Sequence, residues 1–390
     1  MSSAAAPASA ARKGYPFLDG IRGLAALAVV LYHAFLFTGL TDQSTEQLPI
    51  VGAIIGWGYL GVPVFIVLSG FLLRYKFERG ARRYFRDRAR RILPPYYAAL
   101  LVSLALIALV PVLQVESGTA WDTKVPVTVP SVLSHLFLVQ NLSGSWAVSI
   151  NGPMWSIAVE WQIYFILPLL LLPLRRLVHP LVLVGIMTTI TVLPPVALGV
   201  GTVAHPWLVT LFAMGMAAAE YAKGASFHAW QVAATSAWVA VVLLVTSFVR
   251  SEEVSGLWFS ETVAGAVAAL VIGLMARGQA EGRVSRTREF LGSKPLEYAG
   301  LVSYSVYLLH SPLLGLGNLL TLPLDLPLLA RWALMTFLVA PIAIAISIGF
   351  FYLAERPFIN SRQREVQREL KGGEPHLSVA SASRPSASGE

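Results

Sequence analysis

Arg22 and His33 stand eleven residues apart in the apolar stretch LDGIRGLAALAVVLYHAFLF, which begins at Leu18. At about 100° and 1.5 Å per residue, a helix brings both to nearly the same face, about 16 Å apart along its axis. Arg22 falls near the membrane edge, where Asp19 can pair with it at i, i+3. His33 falls roughly mid-bilayer, where an imidazole has to be buried in protein or in a wet cavity. Each has a plain alternative: Arg22 can snorkel to the headgroups, and His33 can be an interhelical hydrogen-bonder. Together, a cation at the edge and a titratable ring about three turns deeper suit a long substrate with an anionic head and a reactive far end. Acyl-coenzyme A has that shape. Its phosphates would sit at the cytoplasmic face with the thioester delivered inward, and histidine, whose ordinary pKa is near neutral, is the natural general base for a hydroxyl that attacks there.

Further residues fit the same chemistry. The segment RYKFERGARRYFRDRARRILPPYY places nine basic residues between Arg74 and Arg91, against Glu78 and Asp87. Positive-inside topology and anionic lipid account for most of that charge. Arg88 and Arg91, spaced i, i+3, share a helix face and could clamp phosphate in bidentate fashion, with Pro94 and Pro95 expected at the first turn of the next helix. Ser156, Glu160 and Tyr164 recur at i, i+4 and i+8 as one stripe. Glu160 there either makes a structural bond to another helix or serves the reaction, by orienting an acceptor or by holding the His33 tautomer. Ser303, Tyr307, His310 and Ser311 form a comparable stripe, with His310 expected near the depth of His33 and structural packing an equal alternative. For Ser69 beside Gly70 close helix packing is expected, and for Glu355 and Arg356 a local ion pair at a cytoplasmic helix end.

These residues need a frame, and composition supplies it. Of 390 residues, 56% are hydrophobic and 13% charged, with mean hydropathy +0.66, which describes a polytopic membrane protein. The net charge of +8 sits in short segments between apolar runs, so it argues for a lipid bilayer and against nucleic acid. There is no cysteine, which excludes disulfides and thiol nucleophiles. Ten apolar runs predict ten spans, near residues 18–40, 56–73, 92–113, 154–174, 181–200, 203–219, 229–249, 257–276, 299–320 and 329–354. With both termini cytoplasmic, all but three of the 29 Lys and Arg residues fall on the inner side, the exceptions being Lys124, Arg250 and Arg331. The fold class expected is all-α: a cytoplasmic N-terminal segment 1–17, a transmembrane domain 18–355, and a cytoplasmic tail 356–390 too polar to pack. The long outer connection, near residues 113–152, is expected to form a lid or a half-buried helix. Its NLS triplet at Asn141 matches a glycosylation sequon, a triplet common by chance. His179, His205 and His228 sit at span edges and His376 in the tail, none with metal-ligand spacing, so no metal is expected.

The stretches FLDGIRGLAALAVVLYH, GVPVFIVLSGFL, RDRARRILPPYY, INGPMWSIAVEWQIYFILP and SYSVYLLHSPL together resemble the membrane acyltransferase family 3, whose members acylate sugar hydroxyls and related acceptors. The resemblance implies a catalytic role for His33 and acyl-donor roles for Arg22, Arg88 and Arg91. The spans from Leu181 to Ala276 carry no matching motif, and acceptor identity is expected there or in the outer loop. The expectation is therefore an inner- or plasma-membrane O-acyltransferase. It has no bound cofactor, uses acyl-CoA, most simply acetyl-CoA, as co-substrate, and takes a carbohydrate or glycosylated metabolite as acceptor. His33 and Glu160 would be catalytic, and Asp19, Ser156, Tyr164, Tyr307 and His310 supporting. Some relatives carry an esterase-like partner domain, for which the tail leaves no room, so transfer is expected to be direct or to use a separate protein. A transporter of a lipid-linked sugar or metabolite is the alternative from another class, and a non-catalytic acyl-CoA sensor a further one; dependence on acyl-CoA turnover separates them.

Overall fold

In lipid, an apolar run of about 20 residues has to satisfy its backbone groups internally, and a helix does so. The computed structural model describes residues 14–39, 49–249 and 256–359, with Arg364 and Gln367. Residues 1–13, Arg250 and the tail from residue 368, with His376, lie outside the described residues. Within them ten helices are long and apolar enough to cross a membrane: α1 Pro16–Phe37, α2 Ile54–Leu73, α3 Ala81–Leu109, α4 Met154–Leu177, α5 Pro180–Leu198, α6 Thr202–Ala222, α7 Ala229–Val249, α8 Leu257–Ala280, α9 Lys294–Leu324 and α10 Leu328–Phe358. No strand occurs among the described residues. The chain is an all-α, multi-pass membrane protein.

Odd-numbered helices leave the end that carries the arginine cluster, here the basic end, and even-numbered helices return to it from the far end. Two of the helices, α6 and α9, are mostly enclosed by the others, whereas α7 faces outward along most of its length. Small residues set the closest crossings. A Cβ on Gly70 of α2 would overlap the Phe212 carbonyl of α6, and one on Gly215 of α6 would overlap the Val67 carbonyl of α2. The same holds where α9 runs parallel to α1, with Gly300 against the Asp19 backbone and Gly23 against Ala299. Such contacts let dispersion act between backbones where no hydrophobic force separates helix from lipid.

At the basic end, Glu220 of α6 ties three helices together. Its carboxylate receives Arg74 Nε at 2.5 Å from the end of α2 and Arg175 at 2.6 and 2.9 Å from α4. The helix α3 departs from expectation here. It starts at Ala81, so Pro94 and Pro95 lie inside it and not at its first turn. The segment expected to be a loop adds about three further turns of helix. Each proline forfeits one bond, to the carbonyls of Arg90 and Arg91, and both residues border a polar cavity instead of lipid.

The connection from α3 to α4 is packed into the far end. Its short helix Val129–Leu136 is closed by a capping box between Thr128 and Ser131. Trp121 is buried against Phe37 and donates to the Leu113 carbonyl at 3.0 Å. Asn151 donates to Ser103 Oγ at 3.0 Å and to the Leu308 carbonyl at 2.8 Å, pinning the connection to α3 and α9. Asn141, the sequon residue, is fully buried and exchanges bonds with Gln162 at 3.1 and 2.7 Å, so its amide is closed to a glycosylating enzyme.

Candidate active site

A cavity of about 550 Å³ opens at the basic end between α1, α2, α3, α4, α9 and the last turn of α10. Arginines gather at its mouth because the extra turns of α3 carry them there. Arg88 and Arg91 both face it, as the i, i+3 spacing predicts, together with Arg83, Arg90 and Lys76. Arg22 lies on the opposite wall, where Nη1 meets Asp19 Oδ1 at 3.0 Å. The two loop arginines are not equivalent. Arg91 is paired with Glu355, which also accepts the Ser305 N–H at 3.1 Å and its hydroxyl at 2.5 Å. Arg88 makes no ion pair among the described residues. The expected local pair of Glu355 with Arg356 is therefore corrected. Glu355 is fully buried, because a π-helical segment, Phe351–Glu355, turns it into the bundle, where Arg91 and Ser305 supply the charge and bonds a carboxylate needs there.

Deeper in, the cavity becomes a hydroxyl-lined slot. Ser156, Glu160 and Tyr164 line it as one stripe, joined by Ser69 and Tyr307. Glu160 accepts from the Ser69 hydroxyl and from Tyr164 at 2.7 Å. Ser69 is thus a ligand of a carboxylate, while the packing expected of it is done by Gly70. Ser156 Oγ and the Tyr307 hydroxyl are 2.6 Å apart, and Tyr307 donates to the Pro153 carbonyl at 3.2 Å. With Phe65, whose ring lies 5.7 Å from that of Tyr307, they close the inner end of the slot.

The histidine pair lies beyond this closure. His33 Nδ1 is 2.9 Å from the Val29 carbonyl and 3.3 Å from His310 Nε2, and the two rings are 4.7 Å apart. His310 Nδ1 is 2.8 Å from the Tyr307 carbonyl and 3.1 Å from that of Val306. Carbonyls only accept, so His310 carries its proton on Nδ1 and presents a lone pair at Nε2; His33 then donates from Nδ1 to both Val29 and His310. His33 Nε2 is left with its lone pair, set by backbone carbonyls and a second imidazole. Glu160, held by Ser69 and Tyr164, does not touch the ring, so holding the His33 tautomer does not fall to it. His33 stands four residues from the far end of α1, and neither it nor His310 lines the cavity, from which Tyr307 separates them.

Several neighbours were not legible in the sequence. Lys124, in the connection over the far end, is 8% exposed, donates to Thr123 Oγ1 at 2.7 Å and lies within electrostatic reach of His33. Burial pushes its ammonium down to about 8. His205, set aside as a span-edge residue, stacks on Trp155 and faces Glu261. Its signal lies only in topology: these residues fall near the starts of α4, α6 and α8, all even-numbered helices, which places them at the same end of the bundle.

The site is thus a bundle of ten spans with an arginine-lined cavity leading toward paired histidines. A family model described as an acyltransferase domain matches residues 15–356, and the chain belongs to this membrane acyltransferase family 3. It is 24% identical over 347 residues to the peptidoglycan O-acetyltransferase OatA of Listeria monocytogenes, covering 78% of this chain and 50% of that one. It is 27% identical over 327 residues to the putative membrane-bound transacylase BcsY of Komagataeibacter xylinus, covering 78% and 74%. Over 177 residues it is 30% identical to the acyltransferase MdmB of Streptomyces mycarofaciens, covering 42% of each chain. The chain thus spans half the length of the Listeria relative. No solved structure matches it.

Proposed function

We propose that this membrane O-acyltransferase moves an acetyl group from acetyl-CoA to a hydroxyl of a carbohydrate or glycosylated metabolite, with His33 Nε2 as general base. The observation that carries the reading is the cationic cavity: its depth runs from the arginines at its mouth to within one aromatic ring of the histidine pair. The basic end faces the cytoplasm of a cell bearing this protein in its inner or plasma membrane, in keeping with the positive-inside rule. Arg88 holds the coenzyme A phosphates, and Arg22 and Arg91, already paired with Asp19 and Glu355, add to the positive field around them. The pantetheine arm passes Glu160 and reaches His33 when Phe65 and Tyr307 turn aside.

Transfer then needs one base. His33 Nε2 takes the proton of the acceptor hydroxyl as that oxygen bonds to the thioester carbonyl. The C–S bond breaks, the ester C–O bond is made, and the imidazolium returns the proton to the departing thiolate. The Nδ1–H of His33, shared by the Val29 carbonyl and His310, keeps the ring in this tautomer throughout.

The test uses the purified full chain in nanodiscs with acetyl-labelled acetyl-CoA and a panel of saccharides. Replacing His33 by Gln should cut label transfer by about 10²-fold or more while acetyl-CoA binding is kept. Equal transfer by both proteins refutes the assignment.

A further inference from the structure

The far end holds an ionisable pair that this transfer step leaves unused. His205 stacks its ring on the indole of Trp155, 4.0 Å between centroids, and directs Nδ1 at Glu261 Oε2, 3.4 Å away. Trp207 Nε1 donates to the same oxygen. Glu261 is 2% exposed, yet both of its contacts fall on Oε2, so Oε1 has no hydrogen-bond partner among the described residues. With Nδ1 donating to the carboxylate, His205 Nε2 is likewise an acceptor without a donor, on a side chain 16% exposed.

What would satisfy these atoms is a ligand that brings hydroxyl donors and no negative charge. An alkyl chain would leave both acceptors stranded, at a cost protein interiors avoid. A phosphate or carboxylate would meet the Glu261 charge. A neutral sugar ring supplies hydroxyls at its edge and a C–H face for the half-buried Trp155 indole, in the pattern of aromatic walls with a few placed polar groups.

The pair also adjoins the reacting centre, on the side away from the cavity. The Tyr59 hydroxyl donates to Ser260 Oγ, next to Glu261, at 2.9 Å; its ring packs on Tyr32 at 5.8 Å, and Tyr32 packs on His33 at 5.3 Å. Trp155 precedes Ser156, which is bonded to Tyr307, and Glu261 lies within electrostatic reach of the Tyr307 hydroxyl.

We propose that Trp155, His205 and Glu261 form the acceptor subsite, which holds a neutral carbohydrate by its hydroxyls at the far end, beside His33 and opposite the donor cavity. The assignment rests on the transferase reading above. Donor and acceptor then approach the histidine from opposite membrane faces.

The chain has no cysteine, so one introduced thiol reports on one place. Ala204→Cys, beside His205, and a control Val200→Cys, 67% exposed, are labelled in nanodiscs with a polar maleimide while chitotetraose or cellotetraose is titrated. Saccharide should slow labelling of Ala204→Cys at least fivefold, leave Val200→Cys unchanged, and lose its effect when Glu261→Gln is added. In acetyl transfer to the same saccharides, Glu261→Gln and His205→Gln should raise the acceptor KM at least tenfold and leave the acetyl-CoA KM unchanged. Transfer with a normal acceptor KM in both variants and no protection overturns the subsite. Protection without any acetyl transfer by the wild type leaves a saccharide-binding site there but overturns both its role as acceptor subsite and the transferase reading. Absence of both overturns the two together.

Discussion

Lys124 offers a test in which sign and size both follow from its surroundings. Its ammonium is buried with one hydrogen bond, to Thr123 Oγ1, and burial lowers its pKa from 10.5 to about 8. At 1.36 kcal/mol per unit, this is a burial penalty of about 3 kcal/mol. The penalty is complete below pH 8, where folded and unfolded chains both carry the charge. It is relieved as pH rises from 8 to 10.5, because the folded protein releases the proton while the unfolded chain still holds it, so stability climbs across that window. Lys124→Met removes the penalty and also the bond to Thr123, worth about 1 kcal/mol. The variant should therefore be more stable than wild type by about 2 kcal/mol at pH 7 and less stable by about 1 kcal/mol above pH 10.5, the two curves crossing near about pH 10. Reversible unfolding in mixed micelles, followed by tryptophan emission at pH 7, 8, 9, 10 and 10.5, reads the difference directly. Titrations common to both proteins cancel. Curves that stay parallel over this range would refute the argument.

Other perturbations have equally definite outcomes. Glu355→Ala strands the Arg91 guanidinium and the Ser305 donors and should cost about 3–5 kcal/mol in the same unfolding assay, part of it recovered in the double variant with Arg91→Met. Gly215→Ala puts a methyl group into the Val67 carbonyl and should destabilise by about 1–3 kcal/mol, with little change when Gly201, which has open space around it, is replaced by Asn. Arg88→Gln should raise the acetyl-CoA KM about tenfold with kcat nearly unchanged, since a phosphate contact remote from the reacting carbon is made equally before and during reaction.

Much of this architecture is visible in one dimension because lipid permits so few forms. All ten runs chosen on length and hydropathy are helices, and the stripe of Ser156, Glu160 and Tyr164 lines one wall because helical spacing alone puts it there. Arg22 and Asp19 meet for the same reason. What escaped were relations between distant segments. Glu355 sits one residue from Arg356 in sequence but is turned by a π segment toward Arg91. Glu160 does not serve the His33 ring because Ser69 and Tyr164, one of them on a helix distant in sequence, take up its carboxylate. His205 and Glu261 are separated by a whole helical hairpin, and only the common far-end start of the even helices joins them. Pro94 and Pro95 misled in another way: the carbonyls they leave unbonded belong to Arg90 and Arg91, which border the polar cavity, and α3 runs through both.

The closure formed by Phe65, Tyr307 and Ser156 has an electrical corollary. A wet cavity reaching far into the bilayer carries the potential of one bath inward with it, so the voltage across the membrane falls mainly over the thin septum between the slot and the opposite surface. An idle molecule with that septum shut keeps the two baths insulated. On the transferase reading proposed above, the anionic head of the donor would stay outside the steep part of the field and only its neutral arm would cross, so an energised membrane would neither pull the donor in nor expel it.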